Sequence, residues 1–247
     1  TLHGSSAASD VYKRQTFVDA LHKKLLPPNI VLIEPEKCFS DALPVKPQRL
    51  MRELLDKLPE QTTYVVETGN AWSWAIHYLQ LSHPHQFHVA MGFGAMGWGI
   101  GACIGASLAD TKKPIACISG DGAYLMSAHE ITVAVEHQLP VIFIILNDAA
   151  LGMVKHGQTM NKAEEIGVEL PSVDYAALAE AAGARGIRIE NWADLDSLCA
   201  ADFEQLKGPV LLDVLIDGTE KPLMQSRLNV LQDARSGIDM EALDASF

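Results

Sequence analysis

Two apolar segments, Pro114-Ile-Ala-Cys-Ile-Ser-Gly-Asp-Gly122 and Pro140-Val-Ile-Phe-Ile-Ile-Leu-Asn147, decide the fold that we expect for this chain. Short continuous apolar runs of this kind are typical of buried parallel strands. Asp121 and Asn147 therefore come at the carboxyl ends of two strands, which is the edge where open α/β sheets bind ligands.

The residues at these two strand ends predict a particular kind of ligand. A carboxylate and an amide oxygen placed together suit a hard cation such as Mg²⁺. Gly120 and Gly122 allow backbone N–H groups to come close to a phosphate. Together these features predict a Mg²⁺–diphosphate site, and the alternative is a simple Gly-Asp turn with an unrelated strand-end Asn.

Further strands and helices alternate on both sides of these two segments. This alternation predicts an α/β fold, with a doubly wound parallel sheet and helices on both faces. The additional strands are expected at 63–67, 186–189 and 209–216, and the helices at 46–58, 71–80, 97–110, 126–137, 174–182 and 192–206.

The chain is expected to have four parts. Residues 1–15 resemble a translated sequencing adapter and are interpreted as a disordered scar. Residues 16–44, with a helix at 17–25 and a strand-like piece after it, read as the remnant of a preceding domain and a linker. Residues 45–219 form the main domain, and 220–247 are a polar tail.

Composition excludes several classes of partner. The net charge of −12 argues against nucleic acid or an acidic membrane surface as a partner. No apolar run reaches the ~18 residues that a membrane span requires. The four cysteines are widely spaced, which indicates free thiols in a reducing cytoplasm.

A second glycine-rich stretch lies before the strand that begins near Pro114. Gly92, Gly94 and Gly97 form a G-x-G-x-x-G pattern, which by itself suggests a dinucleotide site. The segment before it is short for a strand, and no acidic residue closes a strand about 20 residues later. The pattern therefore favours another use of these glycines.

The Gly-Asp-Gly of 120–122, followed after 24 residues by Asn147 at a strand end, resembles the signature of thiamine-diphosphate (ThDP) enzymes. The flanking segments 127–140 and 151–155 look most like the acetolactate synthase branch of that family. The resemblance covers residues 45–217. It implies a truncated chain that retains the C-terminal, diphosphate-binding domain.

The resemblance implies roles for individual residues. Asp121, Asn147 and the backbone carbonyl of Ala149 would hold Mg²⁺, and Met96 would be the apolar wedge that bends the cofactor. Acetolactate synthases carry a Trp where this chain has Gly157, so the second substrate is left open. The cofactor-binding residues that the resemblance implies are Gly69, Asn70, Gly94, Met96, Gly120, Asp121, Gly122, Ala123, Asn147, Leu151, Gly152 and Met153.

The implied activity is ThDP- and Mg²⁺-dependent decarboxylation of a 2-ketoacid with transfer to a second carbonyl. No carboxylate here matches the family's activating Glu, which lies in an N-terminal domain of a partner subunit, so no catalytic residue is assigned. The intact protein would be a cytoplasmic homodimer or homotetramer. The alternatives are another ThDP decarboxylase or oxidase, a split enzyme, and a non-catalytic Rossmann-like nucleotide-binding module.

Overall fold

A computed structural model of the chain describes residues 31–110 and 112–223. Residues 31–33 belong to a separate N-terminal unit, and the compact unit that carries the fold begins at Glu34. The predictions for residues 1–15, for the helix at 17–25 and for most of the C-terminal tail fall outside the described residues. The division of the chain into four parts therefore stays a prediction.

The centre of this unit is a parallel sheet of six strands in the order β2-β1-β3-β4-β6-β5. All five pairs of neighbouring strands are parallel. The predicted doubly wound α/β fold is confirmed. The strands are β1 (Thr63–Val66), β2 (Phe87–His88), β3 (Ile115–Gly120), β4 (Val141–Asn147), β5 (Arg185–Ile189) and β6 (Val210–Leu215).

The central strands are buried on both faces, which explains their continuous apolar sequences. All seven residues of β4 are buried. Successive side chains point to opposite faces of a sheet. Phe143 and Leu211 pack into a cluster with helical residues on one face, and their neighbours Ile144 and Leu212 are also fully buried, which requires cover on the other face.

The helices join successive strands, as the alternating pattern predicted. Pro47 occupies the first turn of α1, where its missing N–H costs nothing. The helices are α1 (Pro47–Lys57), α2 (Asn70–Tyr78), α3 (Trp98–Ala109), α4 (Asp121–Ser127), α5 (Ile131–Glu136), α6 (Gly152–Met160), α7 (Tyr175–Ala181), α8 (Trp192–Asp196) and α9 (Ala201–Glu204).

Three helical segments differ from the prediction. The helix expected at 126–137 begins earlier, at Asp121, and is divided by a 3₁₀ turn at Ala128–Glu130. The helix expected at 192–206 is broken between α8 and α9, where the backbone N–H of Cys199 donates to Asp202 instead of continuing the helix. α6 was not predicted, because it starts at a glycine and contains a second one.

The segment before α1 was expected to include a strand-like piece. Where the structure describes it, residues 31–44 contain a 3₁₀ helix at Pro35–Phe39 and no strand. Val45 then forms an isolated parallel bridge with Ile216, so the segment is tied to the edge where β6 ends. None of the helices in the described ranges has both the length and the apolar character needed to cross a membrane.

We expect Gly186→Ala to reduce the free energy of unfolding by about 1–3 kcal/mol, the usual cost of overpacking. A Cβ at Gly186 in β5 would lie 2.2 Å from the carbonyl oxygen of Ala176 in α7, and this backbone cannot move without shifting the helix. Gly105→Ala in α3 is the matched control, since its Cβ would meet nothing within 4 Å.

The control should stabilise the protein by about 0.5–1 kcal/mol, because alanine favours helices over glycine. Urea denaturation of the two variants measures both effects. Equal stability of Gly186→Ala and the wild type would contradict the close packing of α7 on β5.

Candidate functional site

A narrow cleft with a volume of about 70 Å³ lies at the carboxyl ends of β1, β3, β4 and β6. The register of the sheet creates it, because Gly120 at the end of β3 pairs with Leu146 near the end of β4. Ten of the twelve predicted cofactor-binding residues line this cleft. They are Gly69, Asn70, Met96, Gly120, Asp121, Gly122, Ala123, Leu151, Gly152 and Met153.

Asp121 is the first residue of α4 and is almost completely buried. Its Oδ1 accepts a hydrogen bond of 2.7 Å from the backbone N–H of Gly122. Its Oδ2 is buried and has no hydrogen-bond partner among the described residues. Burial, followed by repulsion from Asp148, raises the pKa of Asp121 to about 7. A bound cation would compensate the charge of this buried carboxylate.

Asp148 supplies a second carboxylate to the same cleft. Burial raises the pKa of its carboxyl to about 6. No group of three or more His, Cys, Asp or Glu side chains in the described ranges could hold a metal ion. Two carboxylates are nevertheless sufficient for Mg²⁺, which is commonly bound by one or two of them together with phosphate oxygens and water.

The structure places two of the three expected metal ligands outside the lining of the cleft. The side chain of Asn147 does not line the cleft, because its Nδ2 donates to Asp213 Oδ1 (2.8 Å) and to the carbonyl of Val173 (3.2 Å). The carbonyl of Ala149 accepts from the N–H of Leu170 (2.8 Å). Side chains alternate along a strand, so Asn147 points to the packed face. Asp148 and Ala150 line the cleft instead.

The expected contact between the Gly122 N–H and a phosphate is also occupied, because that N–H donates to Asp121. Gly122 instead leaves room for close packing. A Cβ at this position would lie 2.6 Å from Leu151 Cδ2, so the glycine lets the loop after β4 approach α4 closely. The turn that holds Asp121 and the loop that holds Asp148 can therefore share one cleft.

A larger pocket of about 560 Å³ adjoins the cleft, and Met96 and Met153 line both. Gly94 lies in this second pocket with a left-handed backbone (φ 72°), and not in the cleft. Trp72 also lines the pocket, and its indole Nε1 is buried with no hydrogen-bond partner in the described part of the chain.

Glu67 explains Gly97, the last glycine of the G-x-G-x-x-G pattern. Its buried carboxylate accepts hydrogen bonds from the N–H groups of Gly99 (2.6 Å) and Gly97 (3.3 Å), so it caps the start of α3. Gly97 has the left-handed backbone that this turn requires (φ 87°). The N–H groups of this glycine turn therefore bind a carboxylate of the protein itself, where a dinucleotide site would use them for a phosphate. This contact disfavours the dinucleotide alternative.

Three polar residues in or behind the cleft, Thr68, Asp148 and His156, were not among the predicted site residues. Asp148 directly follows the expected ligand Asn147, so its acidic side chain at a strand end was the available signal. Thr68 lines the cleft, and its buried hydroxyl has no hydrogen-bond partner among the residues that the structure describes. His156 in α6 lies behind Asn70 and had no sequence signal, because α6 itself was not predicted.

Comparison with known proteins identifies the family. The family model described as "Thiamine pyrophosphate enzyme, C-terminal TPP binding domain" matches residues 67–214. The acetolactate synthase isozyme 3 large subunit of Escherichia coli (strain K12) is 33% identical over 183 residues, which cover 71% of this chain and 31% of that protein. The mitochondrial acetolactate synthase catalytic subunit of Saccharomyces cerevisiae is 32% identical over 177 residues, which cover 70% and 26%.

A solved structure has the same fold. The thiamine diphosphate-dependent 4-hydroxybenzoylformate decarboxylase of Rhodococcus jostii RHA1 matches with a TM-score of 0.68 and 25% identity, over 78% of this chain and 36% of that one. This chain spans about a third of the length of the curated relatives that it matches. Since the family match includes 148 of its 247 residues, and the relatives agree with it, the chain belongs to the acetolactate synthase-like, thiamine-diphosphate-dependent enzymes.

Proposed function

We propose that this chain provides the metal–diphosphate half of an active site that decarboxylates a 2-ketoacid and joins the product to a second carbonyl compound. One observation carries the proposal. The carboxyl groups of the buried Asp121 and the partly buried Asp148 line the same cleft, and no Lys, Arg or His lies among the described residues that line it. A buried charge is normally paired or bound to a metal. The cleft therefore suits a cation that binds together with an anionic cofactor such as a diphosphate.

The residues of the cleft also fit the rest of Mg²⁺–ThDP. ThDP, when bound, supplies the electron sink that makes decarboxylation of a 2-ketoacid possible. Asp121 and Asp148 would hold Mg²⁺, and the Gly120 turn permits close approach of a diphosphate. Met96 is 43% exposed between the two pockets, where it would support the cofactor from its apolar side.

The protein groups that would activate the cofactor are proposed to lie elsewhere. Asp121 and Asp148 are the carboxylates that line the cleft, and both are assigned to the metal. Glu67 is occupied by the N–H groups of Gly97 and Gly99, so it is not available as an acid or base. We therefore keep the proposal that the activating Glu comes from a pyrimidine-binding domain of a partner subunit, in a homodimer or homotetramer.

The choice between carboligation and simple decarboxylation depends on the acceptor side of the pocket. Gly157 in α6 leaves open space, since a Cβ there would meet no described residue within 4 Å. The matching structure from Rhodococcus jostii is a decarboxylase by its title, so decarboxylation without an acceptor is the second candidate. Product analysis with pyruvate alone and with an added aldehyde distinguishes the two in the assembled enzyme.

The remaining predictions about the cellular setting are part of the proposal. We propose a cytoplasmic enzyme with a small-molecule substrate, and neither nucleic acid nor a membrane as partner. The net charge of −12 supports the absence of nucleic acid, because phosphate backbones require a basic surface.

We expect Asp121→Asn and Asp148→Asn each to weaken Mg²⁺-dependent ThDP binding by at least about tenfold, because each removes one of the two charges that compensate the cation. Isothermal titration calorimetry with and without Mg²⁺ measures the effect. Asp56→Asn is the control, since it makes the same change of charge at an exposed position of α1. Wild-type affinity in both variants would place the metal elsewhere.

We expect the 247-residue chain to bind ThDP without meaningful turnover. General acid–base catalysis contributes about 10²–10⁴-fold, and the group that would supply it is assigned to a partner subunit. The measurement is CO₂ release from pyruvate, compared with free ThDP and Mg²⁺ at the same concentrations. Robust turnover by this chain alone would show that one of its own carboxylates performs the activation.

A further inference from the structure

His156 connects three segments that border the cleft. It lies in α6 and is 4% exposed. Its Nε2 is 3.0 Å from the carbonyl oxygen of Gly218, and its Nδ1 is 3.2 Å from Nδ2 of Asn70. The imidazole therefore links the chain after β6 to the first residue of α2, with α6 between them.

These contacts determine which ring nitrogen carries the hydrogen. The carbonyl of Gly218 can only accept, so Nε2 must be the donor. Burial lowers the pKa of His156, which favours the neutral ring. In the neutral ring Nδ1 is then an acceptor, and only the N–H₂ end of the Asn70 amide can face it. The tautomer of His156 thus fixes the orientation of the Asn70 side chain.

The Gly218 carbonyl is itself held in place by ion pairs on both sides. Lys46 Nζ donates to Asp217 (2.5 Å) and to Glu220 (2.7 Å), and Lys37 Nζ donates to Glu220 (2.8 Å). Charge-assisted hydrogen bonds of this kind are stronger than neutral ones. The surrounding fold therefore fixes the position of the Gly218 carbonyl, which accepts the hydrogen bond from His156 Nε2.

The other end of the Asn70 amide has no protein partner. Asn70 lines the cleft, and its Oδ1 is buried without a hydrogen bond within the described part of the chain. The amide lies beside the proposed metal site, because a Cβ at Gly152 would be 2.7 Å from Asn70 Nδ2 and 2.8 Å from Asp148 Oδ2. An amide oxygen suits a metal ion or its bound water, and it does not suit a phosphate oxygen.

We propose that His156 is a positioning residue that turns the Asn70 amide so that its oxygen serves the hydrated Mg²⁺ beside Asp148. This inference rests on the proposed function. Asn70, one of the cofactor-binding residues that the resemblance implies, would then act as a hydrogen-bond acceptor toward the hydrated metal. The positioning role also gives a reason for a buried histidine at a position that no sequence pattern indicated.

Binding of Mg²⁺ with ThDP, and of Mg²⁺ with inorganic pyrophosphate, tests the role of His156 by calorimetry on the full chain. His156→Leu should weaken both by about fivefold to tenfold, the effect of losing one oriented hydrogen bond. His156→Gln should restore affinity to within about twofold, because its amide can accept from Asn70 and donate to Gly218. His137→Leu, an exposed position, is the control.

A double-mutant cycle separates positioning from a general effect on stability. If His156 acts through Asn70, His156→Leu should change affinity by less than about twofold in an Asn70→Ala background. Independent, multiplying effects of the two substitutions would overturn the proposal. So would wild-type affinity in His156→Leu, once circular dichroism has shown that the variant is folded.

Nitrogen NMR of labelled histidine provides a readout that does not depend on the ligand. We expect His156 Nε2 to carry the proton and Nδ1 to resonate as an unprotonated, pyridine-type nitrogen. The reverse tautomer would overturn the proposal. A wild-type chain with no affinity for either ligand would overturn the proposed function itself, whereas wild-type binding that His156→Leu leaves unchanged would overturn only the role of His156.

Discussion

The parallel register between β3 and β4 is the constraint on which the site depends. Because Gly120 pairs with Leu146, the residues that follow each strand emerge at the same edge, and Asp121 and Asp148 enter one cleft. Asp121 is buried and Asp148 is partly buried, and burial raises the pKa of both carboxyl groups, which indicates that the fold alone does not compensate their charge. Because the charge of these two carboxylates is not compensated by the protein, this edge of the sheet suits a cation and the anionic group that accompanies it.

Asp213 shows how a buried acid that the protein satisfies differs from Asp121. Asp213 in β6 is fully buried, and it accepts hydrogen bonds from Asn147 Nδ2, from the N–H of Tyr175 and from Arg188 Nη1. Its lone pairs are used by the protein, so it holds the end of β4 in place. Asp121 has one oxygen without any such partner. The two acids have similar burial, and the difference lies in what remains unsatisfied.

The glycines near the cleft serve close packing more than flexibility. Gly122 admits Leu151, and Gly99 lies against the carboxylate of Glu67, where an added Cβ would be 3.0 Å from Oε1. The loops after β1, β3 and β4 are thereby brought within reach of one ligand. His156 extends this arrangement, because it links the Gly218 carbonyl, which follows β6, to the side chain of Asn70. The cleft is thus built from four strand ends whose loops contact each other directly.

The sequence by itself determined the strands, the doubly wound sheet and the family, because buried parallel strands need continuous apolar runs and the Gly-Asp-Gly signature is local. It also placed ten cofactor-binding candidates at the cleft. Only the tertiary structure showed that Asp148, and not Asn147, lines the cleft, since side chains at a strand end alternate between opposite faces and their direction depends on where the strand stops. It likewise revealed α6 and the contact of His156 with Asn70, two residues that are distant in the chain and meet only when the loops pack. A single sequence carries no signal for such a contact, because the hydrogen bond depends on the position of both backbones.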